Sequence, residues 1–434
     1  MDSLYLALAV FLITYFLISF RRIPVIKLSR SSAALFGAFL MVALGILSMQ
    51  RAWEALDIEV IMLLSGMMLL VGTLQSCGMF EIICVTMVRL SSTPLRFFLL
   101  IMTVSAILSA LVLNDAVVLL FTPVIIEACI RLRVNPVPYL IGEVMAANIG
   151  SVATVVGNPQ NAFIATRAGI GFLDFSVNLV PVAVLCLLAS MMLLVFIFRR
   201  DLWRVSFPSA PDPDGLMTLH QVRQVENQNS CRRLIPRKRL LPLLAVLTLG
   251  TVMAFAFSHQ MGVPLSHIAF ISGAAAVILS VSLTDLKPRE LVDRVDWSII
   301  LFFLGLFVVI QGVTDSGLLS AFQVSPIFGG GESVLDLPGL TMLSAVLSNL
   351  FSNVPSVMLL AEMIPVGETE LWLILAASST LAGNATLLGS AANIIMAERA
   401  ERLGQEIDFW RFMLIGLPVT AMNLVICILI FTVF

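Results

Sequence analysis

Two short motifs rich in small and amide residues lie inside long apolar stretches of the sequence. The first is GNPQN at residues 157–161 and the second is GSAAN at residues 389–393. Glycine permits backbone conformations that other residues avoid, and proline removes an N–H donor, so each motif is predicted to interrupt a helix. The ends of an interrupted helix have unpaired N–H and carbonyl groups, which bind anions, polar solutes or cations.

A second pair of polar interruptions has the features of re-entrant hairpins. Asn114 and Asp115 lie midway along residues 95–130, and the sequence NVPS at residues 353–356 lies midway along residues 337–365. Two half-length helices joined by a polar tip are expected, because non-helical backbone at membrane depth occurs only where protein or a wet cavity covers it. Each tip is therefore predicted to lie beside a broken helix.

Asp115 breaks the symmetry between the two tips, because Val354 occupies the corresponding position. A carboxylate at membrane depth is costly and indicates a functional site. Burial would favour its neutral form and make it a proton carrier, whereas a sodium ion would keep it charged. Simple pairing with a nearby hydroxyl or amide is the alternative. The next acids, Glu127 and Glu143, are expected near the cytoplasmic side in structural roles.

Small polar side chains around the motifs complete the predicted binding site. Such residues also permit close helix packing, but two copies, each paired with a hairpin tip, favour a site. The predicted solute-binding residues are Asn114, Asn148, Thr154, Gly157, Asn158, Asn161, Asn353, Ser356, Asn384, Thr386, Gly389, Ser390 and Asn393. Asp115 is the predicted coupling residue for a proton or a sodium ion, and neither a metal site nor an organic cofactor is predicted.

The elements that position these residues are predicted to be transmembrane helices. Of the 434 residues, 59% are hydrophobic and 12% are charged, whereas a soluble domain has about 25% charged residues. The net charge of −2 gives no reason to expect a nucleic-acid partner. At roughly 20 apolar residues per crossing, ten spans are predicted near residues 2–20, 31–49, 58–76, 137–167, 176–198, 240–258, 265–283, 297–314, 371–398 and 412–433.

The distribution of basic residues predicts the orientation. With residues 199–239 in the cytoplasm and both hairpins counted as re-entrant, all Lys and Arg residues except Arg51 and Arg167 fall inside, as the positive-inside rule requires. Both termini are then outside a cell (inner) membrane, and the lipid bilayer surrounds the spans. The first apolar stretch is expected to be an uncleaved helix rather than a signal peptide.

The second half of the sequence repeats the first. The stretch from Asp57 aligns with that from Asp296 at an offset of 239, and the stretch from Thr154 aligns with that from Thr386 at an offset of 232. Five crossings per half place the second copy upside down, an arrangement typical of secondary transporters. The predicted fold is an all-α integral membrane protein with ten transmembrane helices and two re-entrant hairpins in two inverted repeats. The predicted units are repeat 1–198 (hairpin 95–130, broken helix 137–167), cytoplasmic linker 199–239, and repeat 240–434 (hairpin 337–365, broken helix 371–398).

At these motifs the sequence resembles the ion transporter superfamily, which includes arsenite permeases, NhaD-type sodium/proton antiporters, the melanosomal P protein and the divalent anion/sodium symporters. The segments LNDAVVLLFTP (113–123), ANIGSVATVVGNPQN (147–161) and LAGNATLLGSAANII (381–395) are similar to motifs of the first three groups. The tips depart from the Ser-Asn-Thr tips of the symporters, which favours a proton or a single cation. The resemblance implies a scaffold domain and a transport domain that moves elevator-fashion, often in a homodimer.

Secondary active transport without enzymatic activity is the expected function. The leading interpretation is proton-coupled efflux of arsenite or antimonite, because undissociated arsenous acid needs amides and hydroxyls and neither motif contains Lys or Arg. A sodium/proton antiporter and a transporter of carboxylates or other anions remain alternatives. A channel or a membrane subunit of a larger complex is the alternative from another class, with a cytoplasmic ATPase docking on residues 199–239. An intramembrane enzyme is not favoured, because the sequence contains no HExxH or GxSxG motif.

Overall fold

A computed structural model of the chain describes residues 3–19, 29–203, 240–318, 336–365 and 367–433, and these residues form helices without any β-strand. The helices before residue 204 are α1 (Ser3–Ser19), α2 (Arg30–Ala43), α3 (Met49–Glu54), α4 (Ile58–Ser76), α5 (Met79–Leu90), α6 (Pro94–Leu111), α7 (Asn114–Leu132), α8 (Pro136–Ser151), α9 (Pro159–Ala168), α10 (Phe172–Ile197) and α11 (Arg199–Leu202). The helices after residue 239 are α12 (Leu240–Ala256), α13 (Ser258–Met261), α14 (Leu265–Leu283), α15 (Pro288–Val292), α16 (Trp297–Asp315), α17 (Leu337–Phe351), α18 (Asn353–Ala361), α19 (Thr369–Ala382), α20 (Ala391–Arg402) and α21 (Phe409–Val433). The predicted linker lies outside the described residues from residue 204 onward.

Six of the described helices are long and apolar enough to cross a membrane, which identifies a multi-pass membrane protein. They are α4, α6, α10, α14, α16 and α21. Shorter apolar helices include α1, α2, α12, α17 and α19. The 12-residue helix α5 was not among the predicted spans, because its Glu81 and Arg89 interrupt the apolar run.

The first hairpin has longer arms than the half-length helices that we expected. Its arms α6 and α7 contain 18 and 19 residues, which at about 1.5 Å per residue is about 27 Å each. No glycine or proline lies between Pro94 and Val112 to end the first arm sooner. The arms of the second hairpin, α17 and α18, contain 15 and 9 residues.

Helices of one half pack closely against helices of the other half at matching glycines. Helix α4 packs on α14, and a Cβ atom at Gly66 would lie 2.4 Å from the carbonyl group of Ala269. Helix α16 packs on α2, and a Cβ atom at Gly305 would lie 2.6 Å from the carbonyl carbon of Ala34. Gly66 and Gly305 are equivalent at the offset of 239, so the same kind of close helix contact at a glycine occurs twice between the two halves.

The helix starts at these contacts also match. Asp57 caps α4 by accepting a hydrogen bond from the backbone N–H of Val60 at 3.1 Å. Asp296, which lies 239 positions later, caps α16 by accepting from the backbone N–H of Ser298 at 3.0 Å. An acidic N-cap satisfies an otherwise unpaired donor and complements the helix dipole.

The interrupted helices occupy the centre of the protein. Helix α8 ends at Ser151 and α9 begins at Pro159, and every residue from 138 to 165 is buried. Residues 372–385, which include the end of α19, are buried as well. Helix α6 packs on α8, and α17 packs on α19. Protein rather than lipid therefore covers the polar motifs, as irregular backbone at membrane depth requires.

Candidate functional site

Asn148, on α8, is the hub of a buried hydrogen-bond network. Its Nδ2 donates to the Oδ1 atoms of Asn384 and Asn393, at 2.8 and 2.9 Å. Its Oδ1 accepts from Nδ2 of Asn114 at 3.0 Å and from Oγ of Ser390 at 3.1 Å. All five side chains are at most 5% exposed. One amide therefore joins the first hairpin tip to the broken helix of the other half.

The first broken helix is held together by the amides of its own motif. Nδ2 of Asn161 donates to the carbonyl groups of Ser151 at 2.9 Å and Thr154 at 3.0 Å. Asn158 caps α9 by accepting from the backbone N–H of Asn161 at 2.8 Å. The side chain of Asn158 also donates to Oγ1 of Thr380, at 3.3 Å. These bonds satisfy backbone carbonyls that the interruption leaves without helical partners.

The second broken helix repeats this pattern. Nδ2 of Asn393 donates to the carbonyl groups of Gly383 at 2.7 Å and Thr386 at 2.8 Å. These three residues lie 232 positions after the three that form the bonds of Asn161. The contacts between the halves match too. At the same offset Asn148 corresponds to Thr380, and Asn158 corresponds to Ser390. Asn148 is hydrogen-bonded to Ser390, and Thr380 is hydrogen-bonded to Asn158. The hydrogen-bond pattern thus follows the internal repeat of the sequence.

Each hairpin tip bonds to one motif glycine. The backbone N–H of Asn114 donates to the carbonyl of Gly157 at 2.9 Å. Nδ2 of Asn353, with its amide turned toward acceptors, donates to the carbonyls of Gly389 at 2.8 Å and Ser379 at 3.0 Å. A Cβ atom at Gly157 would lie 2.2 Å from the carbonyl oxygen of Ser151. The structure therefore brings both tips against the interruptions.

The remaining predicted residues form hydrogen bonds within their own half of the chain. Oγ1 of Thr154 donates to the carbonyl of Ala110 on the first hairpin, at 2.5 Å. Oγ1 of Thr386 donates to Oδ1 of Asn349 on the second hairpin, at 3.0 Å. Ser356 is not joined to the network, because its hydroxyl donates to the carbonyl of Ser352 one turn away.

Two acceptors in this region are buried without a hydrogen-bond partner among the described residues. They are Oδ1 of Asn114 and Oδ1 of Asn161. An unpaired buried carbonyl oxygen costs about 1–3 kcal/mol. A solute with hydroxyl donors can satisfy such oxygens, so these two atoms are the best candidates for direct solute contacts.

Asp115 is half-buried and lies beside the network rather than within it. Its carboxylate accepts no hydrogen bond from the part of the chain that the structure describes, and its charged neighbours are Asp296 and Arg30. Nη1 of Arg30 lies 3.5 Å from Oγ of Ser352 at the second hairpin tip. Ser352 has a φ of 76°, an unusual conformation for a residue with a side chain. An acid of one tip and a cation near the other tip therefore face the same region.

Sequence reasoning missed three contributors to this site. Arg30 was counted among the cytoplasmic topology determinants, and it lies in a basic run that gives no sign of its contact with Ser352. Asn349, which also donates to the carbonyl of Ala382 at 2.9 Å, was passed over as part of an apolar hairpin arm. Gln160 donates to Oγ1 of Thr380 at 3.2 Å, and its place inside GNPQN was the available signal.

A small crevice of about 50 Å³ lies where the start of α4 and helix α16 meet α9 and α18. Phe307 and Gln311 line one side, and Phe163 and Met358 line the other. An ion pair between Arg167 and Glu362, at 3.1 Å, joins α9 to the end of α18 on this second side. The glycine-packed helices and the helices that contain the site therefore meet at this crevice, and the rings of Phe163 and Phe307 lie 6.1 Å apart across it.

The family model of the citrate transporters, CitMHS, matches residues 15–368 of the chain. The chain belongs to this family. A 46 kDa membrane protein of Mycobacterium leprae is 31% identical over 96% of both chains. A silicon efflux transporter of Oryza sativa subsp. japonica is 28% identical over 92% of both chains. The mouse P protein is 28% identical over 91% of this chain and 56% of its own length.

The relatives of the chain include the P protein, so the resemblance to this superfamily is confirmed. Among solved structures, the YdaH transporter of Alcanivorax borkumensis matches with a TM-score of 0.52 and 16% identity, covering 92% of this chain and 87% of that one. This match shows a transporter-type helical fold. The family model and the curated relatives identify the protein, at the family level, as a membrane transporter rather than an enzyme.

Proposed function

We propose that the protein is a proton-driven secondary transporter that exports small uncharged metalloid acids, with arsenite and antimonite as its first candidates. The observation that carries this proposal is the composition of the network around Asn148. It consists of amides, hydroxyls and backbone carbonyls, with buried acceptors at Asn114 and Asn161. A network without a charged member suits a neutral solute that donates hydrogen bonds.

The chemistry of the candidate solutes fits these acceptors. Undissociated arsenous acid carries hydroxyl groups that donate hydrogen bonds to amide oxygens. The relative from Oryza sativa is a silicon efflux transporter, and silicic acid is also a small polyhydroxylated acid that is uncharged at neutral pH. Both solutes would bind without the cost of burying an unpaired charge.

The proposed architecture has ten crossings and two re-entrant hairpins in inverted repeats, with both termini outside. The matched hydrogen bonds of Asn161 and Asn393 support the repeat. In this proposal the pairs α4–α14 and α2–α16 form a fixed scaffold. The hairpins and broken helices move against it as an elevator across the crevice lined by Phe163 and Phe307.

Asp115 is the proposed proton carrier, and its replacement by asparagine tests the coupling. Asp115→Asn removes the proton-binding group while preserving size and polarity. We expect arsenite uptake into everted membrane vesicles, driven by an imposed pH gradient, to fall at least about tenfold, which is about 1.4 kcal/mol. Asp293→Asn is the matched control, because Asp293 is exposed and distant in sequence from both motifs.

Two outcomes would contradict these proposals separately. Absence of arsenite and antimonite uptake by the unmodified protein would exclude this solute class. Full pH-driven uptake by Asp115→Asn would exclude Asp115 as the carrier. Uptake driven by a sodium gradient in place of a pH gradient would favour the sodium-coupled alternative.

A second candidate function, transport of carboxylates, is favoured by Arg30. Its guanidinium lies at the second hairpin tip, near Ser352, where it could pair with an anionic group. The family model describes citrate transporters. If citrate is a solute, we expect Arg30→Gln to raise the citrate concentration for half-maximal uptake at least about tenfold, and Arg30→Lys to raise it less.

Labelled citrate uptake into proteoliposomes provides the measurement. Arg89→Gln is the control, because Arg89 is exposed at the end of α5. Equal citrate uptake by Arg30→Gln and the control would remove the basis for this second candidate.

A further inference from the structure

Glu143 is a buried acid that the mechanism proposed above does not use. It lies on α8 and has no exposed surface. Its Oε2 accepts a hydrogen bond from Oγ1 of Thr122 on α7, at 3.0 Å. Its Oε1 is buried and has no hydrogen-bond partner among the residues that the structure describes. One hydroxyl donor thus faces a carboxyl group that has a second, unsatisfied oxygen.

Among the described residues, Glu143 is not in an ion pair with any cation. Thr122 is the side chain that interacts with it. Arg131 is bound to Glu127 one turn away on α7. The titratable groups on the helices packed against α8, and on the neighbouring α5, are Glu81, Cys84 and Arg89 on α5, Arg96 on α6, Asp115, Glu127, Cys129 and Arg131 on α7, Asp174 and Cys186 on α10, Glu370 on α19, and Glu398, Arg399, Glu401 and Arg402 on α20. Cys84 and Cys129 are close enough to interact electrostatically with Glu143.

A carboxyl group in such a place is far more stable with its proton than without it. Removing an ionised carboxylate from water without a paired cation costs many kcal/mol, so such groups neutralise instead. In membrane proteins, buried acids of this kind mark proton pathways. The hydroxyl of Thr122 still favours the ionised form to some extent, because it donates to the carboxylate. The site therefore has the means both to hold and to release a proton.

The position of Glu143 connects the network to one end of the bundle. Its partner Thr122 lies seven residues after Asp115 on α7, which is about 10 Å along the helix axis. Glu127 lies five residues beyond Thr122, a further distance of about 7.5 Å. Three acids therefore follow the second arm of the first hairpin, beginning at the tip beside Asn148.

We propose that Glu143 is a second proton-binding site, which takes up a proton when the O–H bond of its carboxylic acid forms and gives it to water at the cytoplasmic end when that bond breaks. The inference rests on the proton coupling proposed above and assigns one of its sites. It differs from our expectation that Glu143 is structural. The second half has Leu375 at the equivalent position, 232 residues later, so the site belongs to the first half alone.

The test uses Glu143→Gln in the full-length protein, purified and reconstituted in liposomes. Glutamine keeps the acceptor for Thr122 but cannot bind the proton. With arsenite as the probe, we expect counterflow without a pH gradient to stay within about twofold of the unmodified protein. Uptake driven by a pH gradient should fall at least about tenfold and lose its dependence on pH. Unchanged pH-driven uptake with an unchanged pH profile would overturn the proposal.

Thr122 provides an independent variant if Glu143→Gln does not fold. Thr122→Val removes the hydroxyl that favours the ionised carboxylate, so the pH midpoint of transport should move upward. Thr122→Ser keeps the hydroxyl and should leave the midpoint in place. Equal midpoints for the two variants would overturn the proposal.

A spectroscopic measurement separates this proposal from the proposed function. Infrared difference spectra of the purified protein between acidic and alkaline buffer should contain a carboxylic acid band that is absent from Glu143→Gln. This band is expected even if arsenite is not transported, in which case the proposed solute is wrong and the proton site stands. A spectrum unchanged by the substitution would refute the proton site itself.

Discussion

Asn148→Ala is expected to abolish transport, with a loss of at least about a hundredfold in arsenite counterflow. The substitution removes the partner of Asn114, Asn384, Asn393 and Ser390 at once. Each polar group left buried and unpaired costs about 1–3 kcal/mol. Asn114 belongs to the first half of the chain and the other three residues belong to the second half. The variant therefore loses the hydrogen bonds that join the two halves of the site.

Counterflow in proteoliposomes measures this loss, and two variants control for it. Asn178→Ala removes an exposed amide whose hydrogen bond, within the described part of the chain, is to Asp174 of its own helix, so near-normal counterflow is expected. Thr380 is the second-half equivalent of Asn148, but its hydroxyl accepts two hydrogen bonds, whereas Asn148 forms four. Thr380→Val is therefore expected to reduce counterflow by about tenfold. More than half of normal counterflow in Asn148→Ala would contradict the role of the network.

Gly66→Val is expected to have the largest effect on folding. Its Cβ atom would lie 2.4 Å from the backbone of Ala269 on α14, and backbone cannot move aside as a flexible side chain can. Overpacking of this kind costs about 1–3 kcal/mol or more. We therefore expect a lower melting temperature of the purified protein and a loss of monodisperse material on gel filtration.

Gly250→Val is the matched control for this prediction. Gly250 is exposed on α12, and no atom lies within 4 Å of the position that its Cβ would occupy. The same substitution should therefore leave the melting temperature near that of the unmodified protein. Equal melting temperatures for the two variants would mean that the α4–α14 contact does not need glycine.

Features fixed by local chemistry could be predicted from the sequence. Helix α14 begins and ends at the predicted residues 265 and 283, because Pro264 precedes it and an apolar run fills it. The interruption between Ser151 and Pro159 follows from glycine, asparagine and proline close together. The equivalence of Asn161 and Asn393 followed from the repeat, although the carbonyls that each amide bonds could not be foreseen.

Features that depend on distant parts of the chain could not be predicted. The contact between Arg30 and Ser352 joins residues far apart in sequence. A single sequence does not indicate which distant residues lie close together in space. Packing of α4 on α14 has the same character, since Gly66 alone does not identify its partner. The length of α6 was underestimated because the polar tip suggested short arms, whereas helix length depends on the absence of breakers.

The frame of the site is symmetric, but its acids are not. Asn114 and Asn353 are equivalent, as are Asn161 and Asn393. In contrast, Asp115 and Glu143 correspond to Val354 and Leu375. In the proposed cycle both halves hold the solute, while the two proposed proton carriers lie in the first half. Substitutions of the acids could therefore change which ion is coupled to transport without altering the asparagines that are shared by both halves.

The glycine contacts between the halves have a consequence for synthesis of the protein. Gly66 emerges from the ribosome about 200 residues before Ala269, its neighbour on α14. At roughly 5–20 residues per second, α4 waits about 10–40 s for its partner. During that time its small-residue face lies against lipid or a membrane insertase. We therefore expect the α4 face to become buried only after α14 has been synthesised.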